Sequence, residues 1–264
     1  MPPKSNRKDN YSFTNSVQQQ MMKAWQPVPT MTFAIVSFII IGVIFLFLGI
    51  FIIVLSRHTT EISFRYDDLC DPETLCSVQV TFQENISQPI YFYYELDSFY
   101  QNYRSYFKSK SREQLLGNYL AAEDLEDCKP AIYNKDIPTK YSITGAALDP
   151  NQPAFPCGLI ARSFFNDTFR IYKDGSKVSI KETGITWENG ENQIYKNLDE
   201  SQKNLQWLDI EDEHFIVWMR VSPLSGFKKL WGIIEEDIKN GTYTVEILNS
   251  KPLGFSFRLS FWLK

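Results

Sequence analysis

Residues 31–55, from Met31 to Leu55, read MTFAIVSFIIIGVIFLFLGIFIIVL and carry no charge, with Thr32 and Ser37 as their only hydroxyl side chains. At ~1.5 Å per residue a helix of this length crosses a ~30 Å hydrocarbon core with some tilt. A cleaved signal peptide fits poorly, because its apolar region is ~7 to 15 residues long and ends in a small-residue cleavage site. Here Leu55 runs straight into Ser56, Arg57 and His58. The stretch is therefore expected to be one retained N-terminal transmembrane helix. Gly42 and Gly49, seven apart, share a helix face where a neighbouring helix could approach, although glycine is common in such spans.

The flanks set the direction of crossing. Residues 1–30 carry Lys4, Arg7, Lys8 and Lys23 against Asp9, whereas Arg57 and Arg65 beyond the span are mixed with Glu61, Asp67, Asp68 and Asp71. Basic residues stay on the cytoplasmic side. Residues 1–30 thus read as a cytosolic tail, rich in Ser, Asn, Gln and Pro and disordered up to Trp25, which sits at the depth of an interfacial anchor. All four cysteines, Cys70, Cys76, Cys128 and Cys157, lie after the span, an even number suited to an oxidising compartment. So do three glycosylation sequons, at Asn85, Asn166 and Asn240. A fourth, at Asn10, falls in the tail and should stay bare.

Residues 56–264 are expected to form a single disulfide-bonded, glycosylated lumenal or extracellular domain, since no Gly/Ser- or Pro-rich linker divides them. The whole chain, with Lys+Arg 27 and Asp+Glu 31, is 44% hydrophobic and 22% charged, which excludes wholesale disorder. Its excess of acid lies in the ectodomain and leaves no basic face for nucleic acid. Strand signals recur at 78–82, 90–96, 169–172, 215–221, 243–248 and 255–262. In the last of these Phe255, Phe257, Leu259, Phe261 and Leu263 alternate strictly. Asp174-Gly175 reads as a hairpin turn. Two stretches read as helix: 98–110, capped by Ser98 with Phe99, Tyr103, Tyr106 and Phe107 on one face, and 227–237, with Phe227, Leu230, Ile233 and Ile234 together. The predicted fold is a membrane-anchored, mainly β ectodomain of antiparallel, sandwich-like sheets with a few helical insertions. Four cysteines allow three pairings; the spacing of Cys70 and Cys76 favours a local pair, and a Cys128–Cys157 bridge would tie down the loop between them.

Catalytic chemistry finds little support. Only His58 and His214 are present, which is too few for a zinc centre once the cysteines are taken as disulfides. No nucleophile elbow, H-E-x-x-H helix, P-loop or dinucleotide fingerprint occurs. The acidic strings Glu123 to Asp127 and Asp209-Ile210-Glu211 read as solvated turns. The plan of tail, span and glycosylated ectodomain also suits a lumenal glycosyltransferase or hydrolase, or a stand-alone receptor or adhesion ectodomain. No strict D-x-D triplet supports the first of these. No enzyme activity, metal or cofactor is expected.

Whole phrases carry more information. Trp25-Gln26-Pro27, Tyr93-Tyr94-Glu95-Leu96, Phe99-Tyr100-Gln101-Asn102-Tyr103-Arg104-Ser105-Tyr106 and Lys108-Ser109-Lys110 come in that order. They are followed by Pro156-Cys157-Gly158-Leu159-Ile160-Ala161, Phe165-Asn166-Asp167-Thr168, Gly184-Ile185-Thr186-Trp187, His214 to Arg220, Phe227-Lys228-Lys229-Leu230 and Gly241-Thr242-Tyr243-Thr244-Val245. Together they resemble the cell cycle control protein 50 / ligand-effect modulator 3 family, the non-catalytic β-subunits of type-IV P-type ATPases that translocate phospholipids. The resemblance implies a heterodimer with an ATPase α-subunit in the lipid membrane, assembly before exit from the endoplasmic reticulum, and residence there, in the Golgi and at the plasma membrane. It also implies the pairs Cys70–Cys76 and Cys128–Cys157. Trp25, Arg104, Asn166, Trp218 and Arg220 become candidates for the partner contact or its framework; Asn166 reads first as a glycan acceptor, and Trp218, alternating with Ile216, as core. The family has a second span after its ectodomain. Residues 255–264 instead read as a strand containing Arg258 and do not match the family after Ser250, so weakened assembly is expected.

Overall fold

An uninterrupted apolar run satisfies its own backbone by coiling, and residues Met31–Ser56 form helix α1, 26 residues long and about 39 Å at ~1.5 Å per residue. None of its residues is buried against protein, as suits a helix whose solvent is lipid rather than a core helix. It is the one helix among the described residues long and apolar enough to cross a membrane. The computed structural model describes residues 30–56, 61–66, 69–71, 74–187, 194–248 and 256–263. The chain divides into two units, Met1–Ser56 and Arg57–Lys264.

The second unit is built on two antiparallel sheets. Strands β1 (Glu61–Arg65), β3 (Ile90–Asp97), β6 (Ile180–Lys181), β7 (Phe227–Ile234) and β9 (Ser256–Leu263) form one, in the order β1-β9-β3-β7-β6. Strands β2 (Leu75–Phe82), β4 (Thr168–Lys173), β5 (Ser176–Val178) and β8 (Gly241–Leu248) form the other, in the order β2-β8-β4-β5. Period-2 alternation gives each sheet an apolar face: Ile90, Phe92, Tyr94 and Leu96 of β3, and Tyr243, Val245 and Ile247 of β8, point inward. The faces meet through aromatic rings. Phe92 contacts Phe169 edge-on at 5.4 Å, Trp231 closes on Phe169 at 5.1 Å, and Phe82 packs on Phe261 at 5.4 Å. Such geometry adds ~0.5–1.5 kcal/mol per pair beyond area burial. The Asp174-Gly175 turn between β4 and β5 has both residues at positive φ, 49° and 81°, as a type I′ hairpin requires.

Short helices are inserted into this sandwich: α2 (Arg104–Phe107), α3 (Arg112–Leu115), α4 (Leu159–Arg162) and α5 (Glu213–Met219). Three sequence expectations are corrected. Residues 215–221 are not a strand but mostly α5, in which Phe215 to Met219 are all buried, so neither period shows. Residues 227–237 are not a helix but β7 and its end. A bulge opposite Phe92/Tyr93 changes the phase of β7, and Lys229 occupies an inward position, so the apolar spacing mimics a helical one. Of the helix expected over 98–110 only α2 forms. Ser98 is left-handed at φ 62° rather than a cap, and the Phe99 amide donates to Ser225 O at 3.0 Å instead of entering a helix.

Candidate partner-binding surface

The segment from 98 to 166 links the two sheets without a strand of its own and is held by buried polar side chains. Gln114, fully buried, donates from Nε2 to Ala154 O at 3.0 Å and accepts at Oε1 from the Cys157 amide at 2.8 Å. Ser109 Oγ donates to the carbonyls of Cys128 (3.0 Å) and Lys129 (3.1 Å) and accepts from the Leu159 amide at 2.9 Å. Cys128 and Cys157 are bridged with their Cα atoms 5.7 Å apart, and Cys70 and Cys76 with theirs 5.5 Å apart. Gly158 sits between these groups at φ +103°, where a Cβ would lie 2.1 Å from Ser109 O. Only glycine fits a backbone conformation and an approach of this kind.

Helix α5 is fixed at both ends. At its start Asp212 accepts from the His214 amide at 3.0 Å. The Glu213 carboxylate accepts from the amides of Gly184 (2.9 Å), Ile185 (2.8 Å) and Thr186 (3.2 Å) and from the Thr186 hydroxyl. Burial pushes Glu213 up, but these hydrogen bonds outweigh it and hold the carboxyl below its usual range. At the helix end the buried Lys229 ammonium donates to Val217 O (3.0 Å), Trp218 O (3.1 Å) and Arg220 O. Burial, helped by the Arg220 guanidinium, lowers this amine to about 7. Trp218 itself is 0% exposed. Its indole donates to Ile160 O at 2.8 Å and its ring lies 5.6 Å from that of Phe99. It is framework, buried beneath the surface rather than presented on it. Arg220 lies over the Trp187 ring at 4.2 Å, and that ring is 62% exposed.

Above this framework lies an aromatic surface. Asn102 Nδ2 donates to Pro223 O at 3.0 Å and the Ser222 amide to Gln101 Oε1 at 2.9 Å, so residues 99–107 and 222–225 are stitched side by side. Tyr100 and Tyr103, 47% and 60% exposed, stack at 5.2 Å with 8° between their planes. Phe107 and Leu224 are also exposed, and so is Arg104. Tyr100, Tyr103 and Leu224 were not among the residues expected at a partner contact, because a helix over 98–110 would have buried Tyr103. The legible signal was the density of tyrosine in a segment flanked by Asn and Ser. Trp25 lies outside the described residues.

Comparison with known proteins shows the family to which this sequence belongs. The model of the LEM3 (ligand-effect modulator 3) family / CDC50 family matches residues 54–255, most of the chain. The chain belongs to this family. Among this LEM3/CDC50 member's relatives, ALA-interacting subunit 3 of Arabidopsis thaliana is 32% identical over 283 residues, covering 96% of this chain and 75% of that protein. Putative ALA-interacting subunit 2 of Arabidopsis thaliana is 32% identical over 262 residues, covering 88% and 72%. Cell cycle control protein 50A of Bos taurus is 31% identical over 298 residues, covering 95% and 77%.

Within this LEM3/CDC50 member the phrases that carry the resemblance pack on one another: Phe99 on Tyr106 and Trp218, Tyr106 Oη against Ser163 Oγ at 2.7 Å, Tyr94 stacked on Phe165 at 3.9 Å. The acidic string Asp209-Ile210-Glu211 serves structure. Asp209 Oδ1 accepts from Asn197 Nδ2 at 2.8 Å and Glu211 Oε1 from the Asn197 amide at 3.0 Å. His214 Nε2 lies 3.3 Å from Glu182, and among the described residues no cluster of three or more His, Cys, Asp or Glu forms. The sequon asparagines Asn85, Asn166 and Asn240 are exposed. Asn85 Oδ1 accepts from the Asn240 amide at 2.8 Å, and Asn166 precedes a buried Asp167 that accepts from Tyr66 Oη at 2.8 Å.

Proposed function

We propose that this protein is the accessory subunit of a phospholipid-translocating P-type ATPase, a non-catalytic partner that binds the α-subunit and accompanies it out of the endoplasmic reticulum. The observation that carries this reading is the family match over 54–255 together with relatives named as interacting subunits. Helix α1 anchors the chain, with residues 1–30 cytosolic and residues 56–264 lumenal or extracellular, in the endoplasmic reticulum, Golgi and plasma membrane. Asn85, Asn166 and Asn240 are the glycan acceptors. The exposed ring pair Tyr100/Tyr103, with Phe107, Leu224 and Arg104, and the Trp187/Arg220 stack are the contact elements, and Trp25 contributes from the membrane boundary. Exposed aromatic and arginine side chains over a rigid base are what protein interfaces use as anchors. ATP hydrolysis belongs to the partner.

Affinity purification of the tagged chain from its own membranes in mild detergent, with mass spectrometry of the co-purifying proteins, tests the assignment. A P-type ATPase is expected. The double variant Tyr100→Ala/Tyr103→Ala should lower its recovery at least about tenfold, since two central anchors are each worth ~2 kcal/mol, while the thermal midpoint stays within ~2 °C because the rings are exposed. Recovery of the matured chain with no ATPase would refute the subunit reading.

A further inference from the structure

One concavity of the ectodomain lies apart from the aromatic surface. It is a cavity of about 530 Å³ on whose wall the sequon asparagine Asn166 stands beside Tyr141, Phe164, Trp207, Arg162 and Asp136. Its size lies within the ~300–1,000 Å³ typical of small-molecule sites. We propose that this cavity is an intramolecular carbohydrate site, which takes the first N-acetylglucosamine residues of the glycan carried by Asn166. The proposal rests on the reading of Asn166 as a glycan acceptor.

Three observations give the cavity this occupant. The first is reach: Asn166 lines the cavity and is itself exposed, so a sugar on its amide nitrogen starts at the wall. The second is rigidity. The acceptor is followed by Asp167, which is buried and holds the Tyr66 hydroxyl at 2.8 Å, and by Thr168, which opens β4 in register with Leu248. The sugar would leave from a fixed point in a fixed direction. The third is chemistry. Pyranose rings offer C–H faces to aromatic rings and hydroxyls to charged groups, and this wall supplies both. Trp207 is pinned by its indole donating to Pro156 O at 2.7 Å, Phe164 stacks edge-on against Phe215 at 5.7 Å, and Tyr141 is 61% exposed at the mouth. The Arg162 guanidinium and the Asp136 carboxylate provide a donor and an acceptor on the same wall. Neither Asn85 nor Asn240 lines this cavity, so their glycans serve as internal controls on the same molecule.

The test uses the full chain made in a eukaryotic secretory pathway and purified in detergent. Each site's glycan is released with a peptide-N-glycosidase, under native conditions and after denaturation, and followed by site-resolved glycopeptide mass spectrometry. The Asn166 glycan should be released at least about tenfold more slowly than the Asn85 glycan in the native protein and equally fast after denaturation, a ratio that corresponds to ~1.4 kcal/mol of docking. Tyr141→Ala, at an exposed ring, should bring the native rate at Asn166 to within about threefold of that at Asn85 without moving the thermal midpoint. Equal native rates in the unmodified chain, or a slow Asn166 rate that Tyr141→Ala leaves unchanged, overturns the carbohydrate site while glycosylation stands. A denatured sample with no sugar on Asn166 overturns the acceptor reading and the site together.

Discussion

Replacing Gly158 by alanine tests whether the packing around the Cys128–Cys157 bridge sets the stability of the two-sheet unit. Two costs add. The backbone at φ +103° disfavours any Cβ, by ~1–2 kcal/mol relative to glycine. The new methyl would also lie 2.1 Å from Ser109 O and 2.6 Å from Ser109 C, both backbone atoms that cannot rotate away. Ser109 must therefore move by more than an ångström, which breaks the hydrogen bond its one hydroxyl proton shares between Cys128 O and Lys129 O and the one it accepts from the Leu159 amide, and leaves buried groups unpaired at ~1–3 kcal/mol per bond. The expected loss is about 3–6 kcal/mol, a large share of a typical ~5–15 kcal/mol stability. Gly175→Ala is the matched control: its φ is +81°, but nothing lies within 4 Å of the added Cβ, so only the ~1–2 kcal/mol backbone cost applies. Thermal unfolding of the full chain in detergent, followed by tryptophan fluorescence, should place Gly158→Ala at least ~6 °C below the parent protein, with Gly175→Ala only a few degrees below it. Midpoints for the two variants within ~2 °C of each other would refute the argument from Ser109.

Lys229→Met should change the pH dependence of stability. The folded amine titrates at about 7 and the unfolded one at 10.5, so the unfolded chain binds more protons between those values and stability rises with pH across that window; the variant should lose this rise, read as the slope of the thermal midpoint above pH 7. Glu213→Gln should remove a rise of the same sign in a more acidic window, a contribution present above the ordinary carboxylate range and lost as pH falls through the lowered folded value, and hydrogen exchange at the Gly184 to Thr186 amides reports it directly. Phe261→Ala, which empties a fully buried position against Phe82 and Phe92, should cost ~3–5 kcal/mol by denaturant titration of the same chain.

The sandwich was largely legible because its strands present one face to a core. Val78 to Phe82, Ile90 to Leu96, Phe169 to Tyr172 and Tyr243 to Leu248 alternate, and all four are strands. Two elements exchanged identities for physical reasons that local pattern does not carry. His214 to Met219 is rich in β-branched and aromatic residues, yet it is a helix because Asp212 caps its start and Lys229, from another element, caps its end. Lys229 also hid the alternation of β7, since a lysine turned inward looks like an exposed position. The framework residues of the candidate surface were visible through the family phrases. Its outermost rings, Tyr100 and Tyr103, stand in those phrases too, but their exposure was not legible, because it depends on Phe99 and Gln101 being stitched to residues 222–225.

The position of β9 decides when the two-sheet unit can finish folding. It lies between β1 and β3, pairing Ile62 with Phe261 on one side and Phe92 with Phe261 on the other, so among the described residues β1 joins its sheet through β9 alone. Until residues 256–263 have emerged from the ribosome, β1 has no partner and one edge of β3 stays open to whatever strand is nearby. The four-stranded sheet is complete once β8 has been made. The five-stranded sheet waits for a contact between residues almost two hundred positions apart, a closure that is slow in its nature. A ribosome that stalls or terminates before this strand would therefore release an incomplete sandwich with an exposed seam of Phe82, Phe92 and Phe64, the type of apolar surface and open strand edge that aggregates.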